Sequence, residues 1–400
     1  MQLKKDLVAG VTVAIVALPL ALGFGITSGM SPAAGLTTAI IAGFLAALFG
    51  GSKYQVSGPT GAMTVVLIPI ISKYGVQAIP LLGLIAGLMV ISMGGLKLGN
   101  LINKTPWAVV EGFTVGIAVI ISLQQVPLVL AQVKGDGDKP ISIAIATFKD
   151  ALQNGLNWMS ILVVVVTLTV KFGYPSLAKL AGIKLHIPAS FVAITFVTIA
   201  VQLFTIDVPS IGEVPRNIGS WKGSELAVAD ISKLLWPAFL IALLCAIESL
   251  LAARVADGMV HAQGDQRFQP NRELVGQGIG TVAASLFGGM PATGAIARTG
   301  VNVRSHAQSK YAAMFHAIVL VAIALVFAPI VSAIPSAAIA GVLLGTSYRI
   351  LNPVSILESL RTTKSEVTVL VVSAVVTVGV DLIWGIVVGV VLHYALERFK

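Results

Sequence analysis

Apolar residues come in long runs along this chain, broken by short polar intervals instead of alternating with a strand or surface-helix period. The runs fall at about 7–29, 32–50, 56–72, 76–96, 106–133, 156–172 and 186–206, then at 233–256, 272–288, 292–303, 311–333, 336–350, 365–380 and 382–397. A membrane-crossing helix needs about 20 apolar residues, so the pattern predicts an all-α polytopic membrane protein with fourteen transmembrane segments in two groups of seven. Several runs are shorter than a full crossing, and 292–303 is the shortest.

Seven is odd, so the second group enters the membrane from the side opposite to the first, and the repeat is expected to be inverted. The longest polar interval, Asp207 to Ser232, carries Pro209, Gly212, Pro215 and Gly219 and marks the boundary. This divides the chain into a first repeat at 1–206 (spans 1–7), a connecting segment at 207–232 and a second repeat at 233–400 (spans 8–14). A second polar interval, Lys134 to Asn154, reads as an outer loop with a short helix.

A repeated motif supports the division. Leu48-Phe49-Gly50-Gly51 precedes Pro59-Thr60-Gly61-Ala62-Met63-Thr64, and Leu286-Phe287-Gly288-Gly289 precedes Pro291-Ala292-Thr293-Gly294-Ala295. Short Gly/Pro-broken segments at matching positions of two halves point to a transporter's binding site. Spans 3 and 10 are therefore expected to be half-helices whose N-termini converge near mid-membrane. First-turn N–H groups lack intrahelical partners and carry the positive end of the helix dipole, so they hold an anion without a metal. The candidate substrate-binding residues are Thr60, Gly61, Ala62, Thr293, Gly294, Ala295 and Arg298, the last adding a full positive charge. A plainer reading is that Gly and Pro here only allow close packing or kinks. Thr60 and Thr293 also read as N-caps.

Composition narrows the class. With 56% apolar and 11% charged residues and a mean hydropathy of +0.94, the chain is no ordinary soluble domain. Lys4-Lys5 and the run behind them resemble a signal peptide, but the run is too long and lacks a small-residue cleavage site, so it is read as span 1. The net charge of +9 comes from basic residues scattered at span ends, which argues for membrane orientation and against nucleic acid. With the N-terminus inside, the inner connections take most of the 26 Lys and Arg, including Lys4, Lys5, Lys53, Lys97, Lys171, Lys184, Arg254, Arg349 and Lys400. The outer ones hold Lys73, Lys134, Lys139, Lys149, Arg216, Lys222 and Lys233. Both termini are then cytoplasmic, in a protein of the cell's plasma membrane.

Catalytic chemistry is not indicated. Cys245 is a lone cysteine within a span, and His186, His261, His306, His316 and His393 show no metal-ligand spacing. No phosphate-binding loop and no nucleophile with a base are evident, so neither ATP hydrolysis nor another enzyme activity is expected, and no cofactor.

Glu248 lies deep in span 8, where an ionised carboxylate is costly and marks an ion path or a paired site. Its expected partner is Na⁺, H⁺ or Arg298, and Arg298 as its structural counter-ion is an open reading. Ala252, one turn on, has no hydroxyl, so a Na⁺ shell at Glu248 would draw on Ser249 and the backbone around Gly294. Glu111 is read as interfacial, and Asp257 near Arg254 and Asp381 in a turn as structural. Gln124 and Gln125 either line the path or bond between helices.

The segments Glu248-Ser249-Leu250, Asn271-Arg272-Glu273-Leu274-Val275-Gly276-Gln277-Gly278-Ile279-Gly280 and Ser285 to Thr299, with Ser57 to Thr64 and Glu111 to Ala118, resemble the SulP anion transporters, also called solute carrier family 26. The resemblance covers essentially the whole chain. It implies a core domain (spans 1–4 and 8–11) moving against a gate domain (spans 5–7 and 12–14), with an anion site between spans 3 and 10. It further implies homodimers, and transport of bicarbonate, sulfate, chloride or dicarboxylates by Na⁺ or H⁺ symport or by exchange. Family members continue into a cytoplasmic STAS domain, whereas this chain stops at Lys400. Ala17-Leu18-Pro19-Leu20-Ala21-Leu22 is similar to the cyanobacterial bicarbonate members, while Arg298 is shared rather with sulfate-, dicarboxylate- and chloride-handling ones. The expected function is a secondary active carrier of a small anion, with an exchanger or an anion channel as the alternative.

Overall fold

The computed structural model describes residues 2–137, 139–182, 187–214, 216, 218–223, 231–351, 353–359, 361–380 and 382–398. Lys184, His186, Pro215, Asp381 and Lys400, and part of the 207–232 connection, lie outside the described residues.

The chain is mostly helical, and the apolar runs account for it. The first half of the chain contains α1 (Gln2–Thr27), α2 (Pro32–Phe49), α3 (Gly61–Tyr74), α4 (Ile79–Gly95), α5 (Gly99–Ile102), α6 (Trp107–Gln124), α7 (Val126–Leu130), α8 (Pro140–Asn154), α9 (Trp158–Leu180) and α10 (Ala189–Leu203). The second contains α11 (Ile231–Met259), α12 (Pro270–Leu286), α13 (Ile296–Arg304), α14 (Tyr311–Val326), α15 (Ala328–Ser332), α16 (Ser336–Leu351), α17 (Pro353–Ser359), α18 (Lys364–Gly379) and α19 (Leu382–Arg398). Among the described residues, six helical stretches are long and apolar enough to cross a membrane: α1, α2, Val76–Gly95, Trp107–Leu130, α9 and α11. The helices α3, α10 and α14 are apolar but shorter. Two of the long runs are broken. The 106–133 run bends at Gln125, where Pro127 opens α7, and 311–333 breaks at Phe327, before Pro329 in α15.

Large apolar side chains point outward along these helices, among them Leu162, Phe196, Trp236, Val375 and Val391. In water such a surface would be costly, whereas in hydrocarbon it is the expected one. Inside, buried hydroxyls return to the carbonyl one turn back, as Thr167 does to Val163 and Thr377 to Ser373. This leaves no polar atom of theirs facing lipid.

The densest packing sets α12 against α4 and α2, α1 against α14 and α2, α18 against α6 and α19, and α16 against α9. Each half of the chain braces a loop of the other. Thr38 on α2 accepts from Met290 N at 2.8 Å, and Glu273 on α12 accepts from Gly51 N and Ser52 N, both at 2.8 Å. These are the loops that follow the two Leu-Phe-Gly-Gly motifs. They would otherwise carry unpaired N–H groups in the interior.

Lys171 is not in an inner connection. It sits within α9, buried, and its ammonium donates to Val342 O at 2.6 Å and Thr346 Oγ1 at 2.8 Å on α16. Those acceptors replace the water it leaves, which allows the helix to run on to Leu180. Asp257 and Arg254 are structural, though not toward each other. Asp257 accepts from Phe268 N, and Arg254 donates to Asn103 O and Thr105 O. Glu111 accepts from Ser359 Oγ at 2.6 Å.

Candidate functional site

The approaches to α3 and α13 cross as a two-residue antiparallel ladder, with Ser57 opposite Gly294 and Gly58 opposite Thr293. The ladder is extended by Ala295 N to Val56 O at 2.9 Å and by Val56 N to Thr299 Oγ1 at 3.0 Å. An isolated strand pair inside a helical membrane protein needs its outer edges covered. Ser249 Oγ on α11 does so for Gly294 N at 2.9 Å. The two Thr-Gly-Ala motifs are thereby brought together, 233 positions apart in sequence.

Directly opposite residues of an antiparallel pair share a face. Gly58 and Thr293 define one face, and three further groups converge there. Glu248 Oε2 accepts from Thr293 Oγ1 at 2.7 Å and from Thr60 Oγ1 at 2.9 Å. The Thr293 hydroxyl also lies 3.2 Å from Thr60 Oγ1, but its one proton is best spent on the shorter, charged acceptor. Arg298 reaches back from α13 to donate Nη2 to Pro59 O at 2.9 Å, and its Nη1 lies against Gly58, where any side chain would collide with it. Glu248 and Arg298 are 6% and 1% exposed.

Thr60 is the N-cap of α3, accepting from Met63 N at 3.4 Å. Thr293 is not a cap. It lies in the ladder, the N-cap of α13 is Ala295 without a side-chain bond, and the Thr293 hydroxyl is taken by Glu248. The helix of the second motif thus begins at Ile296, two residues later than a Thr293 cap would place it. Arg298 is not in an ion pair with Glu248 either, its hydrogen bond going instead to Pro59 O. Arg298 Nε and Nη1 have no hydrogen-bond partner. Nor do the first-turn N–H groups of Gly61, Ala62, Ile296 and Ala297, among the described residues. The site therefore presents unspent donors of positive character, and beside them a carboxylate bound only through one oxygen.

The opposite face of the ladder was not anticipated. Gln277 Nε2 donates to Ser57 Oγ at 2.6 Å and to Glu273 Oε1 at 2.8 Å. Gln55 packs where a Gly294 side chain would be, with both amide atoms unpartnered. The available signal was Glu273 and Gln277 at i, i+4 spacing in an apolar helix. Among the described residues no group of three or more His, Cys, Asp or Glu gathers to hold a metal.

The architecture defines a class: a multi-pass, mostly helical membrane protein in which a short interior ladder joins the segments that lead into α3 and α13. The sulfate permease family model matches residues 3–373, and the chain belongs to that family, whose members are anion transporters and not enzymes. YvdB of Bacillus subtilis (strain 168), provisionally named a sulfate transporter, is 36% identical over 399 residues, covering 98% of this chain and 73% of that protein. The bicarbonate transporter BicA of Synechocystis sp. (strain ATCC 27184 / PCC 6803 / Kazusa) is 33% identical over 402 residues, covering 97% and 68%. The solved transmembrane domain of a cyanobacterial BicA superposes with a TM-score of 0.83 at 30% identity, covering 98% of each chain. The structure of SLC26A9 shares the fold, with a TM-score of 0.84 at 14% identity over 99% of this chain and 65% of that one.

Proposed function

We propose that this protein is a secondary active transporter that moves sulfate, bicarbonate or a dicarboxylate across the plasma membrane by cation-coupled symport. One observation carries the reading: the unspent N–H groups of α3 and α13 and the free guanidinium edge of Arg298 meet beside Glu248, in the buried interior. Donors fixed in a low-dielectric site bind an anion more strongly than the same donors in water. The anion is held by Thr60, Gly61, Ala62, Thr293, Gly294, Ala295 and Arg298.

Coupling follows from charge. Glu248 and Arg298 together are neutral, the bound anion makes the site negative, and one Na⁺ or H⁺ at Glu248 restores balance. Glu248 suits both. Its second oxygen lacks a donor, the Thr60 and Thr293 hydroxyls meet its first, and Ser249 follows it in the chain with its hydroxyl on Gly294 N, so a hard cation would find oxygen ligands here. The remaining features belong to the same reading. Fourteen spans, with α3 and α13 as half-helices, form a core of spans 1–4 and 8–11 that rocks against a gate of spans 5–7 and 12–14. Both termini are cytoplasmic and two copies assemble as a homodimer.

Uptake of labelled bicarbonate, sulfate and a dicarboxylate into proteoliposomes, with and without Na⁺ or pH gradients, tests this. Accumulation above equilibrium driven by one cation gradient is the expected result. Uptake that only equilibrates indicates a channel, and uptake that needs a counter-anion inside and no cation gradient indicates exchange; either outcome overturns symport.

A further inference from the structure

Gln124 and Gln125 are adjacent, buried and at the end of α6, yet their carboxamides are spent differently. Gln125 Nε2 bonds Ile121 O of its own helix at 2.9 Å, covering a carbonyl that the helix end leaves free. Gln124 instead turns to α3, its Oε1 lying 3.0 Å from Thr64 Oγ1, and its Nε2 has no partner although the residue is only 8% exposed. Thr64 has one proton, shared between Gln124 Oε1 and Gly61 O at 2.6 Å. In either orientation of the carboxamide, at least one Nε2 proton remains without an acceptor.

Its position relates this donor to the site. Gly61 lies against the Ile121 side chain, closely enough that a side chain at 61 would collide with it. Ile121 and Gln124 on α6 thus face Gly61 and Thr64 on α3, two i, i+3 pairs in register. Through the Thr64 hydroxyl, the Gln124 carboxamide is linked to Gly61 O in the first turn of α3, the turn whose Gly61 and Ala62 N–H groups are unpartnered. A buried unpaired amide is costly unless something occupies it. A neutral donor adds a directed hydrogen bond to an anion without altering the charge balance of Glu248 and Arg298.

We propose that Gln124 is the α6-side hydrogen-bond donor to the transported oxyanion, closing the substrate site from the helix that packs on the first turn of α3. This rests on the reading that the anion is held at the starts of α3 and α13. It assigns α6 a specificity role: oxyanions such as sulfate or bicarbonate, with several acceptor atoms, use the extra donor.

The test compares uptake kinetics of labelled sulfate and bicarbonate in proteoliposomes for Gln124→Met, Gln124→Glu, Thr64→Val and Arg298→Gln, each first checked as monodisperse in detergent. Gln124→Met keeps the volume and removes the donor, and should raise KM about tenfold or more with little change in kcat. Gln124→Glu places a carboxylate there and should raise KM further. Thr64→Val breaks the helix-to-helix bond but leaves the amide, and should hold KM within about twofold. If Gln124 serves only to bind α6 to α3, Thr64→Val will reproduce Gln124→Met, and the proposal falls. An unchanged KM in both Gln124 variants while Arg298→Gln raises it also overturns the proposal and leaves the site standing. An unchanged KM in all four removes the site itself.

Discussion

The starts of α3 and α13 make the same backbone gesture with different chemistry. The α3 start is neutral and capped: Thr60 accepts from Met63 N, and the 14-residue helix that follows carries no charge before Lys73 in its last turn. The α13 start has no side-chain cap, lasts nine residues and carries Arg298 in its first turn. Both formal charges of the site, Glu248 and Arg298, come from the second half of the chain, while the first contributes hydroxyl, amide and carbonyl groups only. The two halves thus divide the work. One supplies a dipolar backbone surface, and the other the charges that, in the proposed mechanism, respond to substrate and coupling ion.

The sharpest way to break this comparison is Arg298→Ala. The guanidinium is the one full positive charge on the ladder face. We expect a folded protein whose anion affinity, by direct binding of labelled sulfate or bicarbonate, falls by about two orders of magnitude. Affinity within a factor of two of the parent would make Arg298 a structural clamp on Pro59 O. Glu248→Gln mimics the protonated acid and keeps an acceptor for Thr60 and Thr293. Anion binding should survive while its dependence on Na⁺ or pH disappears, and because coupling is reciprocal, the anion should no longer enhance cation binding. Full cation-dependent uptake in that variant would move coupling elsewhere.

Smaller effects should separate the braces. Glu273→Leu leaves the buried Gly51 and Ser52 N–H groups unpaired, for a loss of about 2–4 kcal/mol. Thr38→Val strands Met290 N alone, for about half as much. Thermal unfolding in detergent should rank them in that order, and equal shifts would show that the loops relax to find other partners. Smallest of all, Thr60→Val should cost about 1 kcal/mol more than Thr293→Val, because Thr60 caps α3 as well as bonding Glu248 and Thr293 caps nothing.

Much of this was legible because membrane sequences write their constraints plainly. Apolar runs became helices, since backbone groups in hydrocarbon must bond within their own segment. The recurring Leu-Phe-Gly-Gly and Thr-Gly-Ala motifs marked the segments that meet. Glu248 and Arg298 stood out as charges where charges are expensive. Lys171 misled because an ammonium at the end of an apolar run reads as a boundary, and nothing local reveals that Val342 O and Thr346 Oγ1 await it on α16.

By itself, then, the sequence determined the class, the helices, the family and which residues carry unusual cost in the membrane, because each follows from transfer energies and local spacing. Tertiary structure alone decided that Thr293 bonds Glu248 instead of capping α13, that Arg298 reaches Pro59 O instead of Glu248, and that Gln124 and Gln125 part company. Those choices turn on which donor finds which acceptor, at separations from 4 residues for Gln125 and Ile121 to 239 for Arg298 and Pro59. A hydrogen bond is decided within a few tenths of an ångström, a precision that spacing along one strand of sequence does not encode.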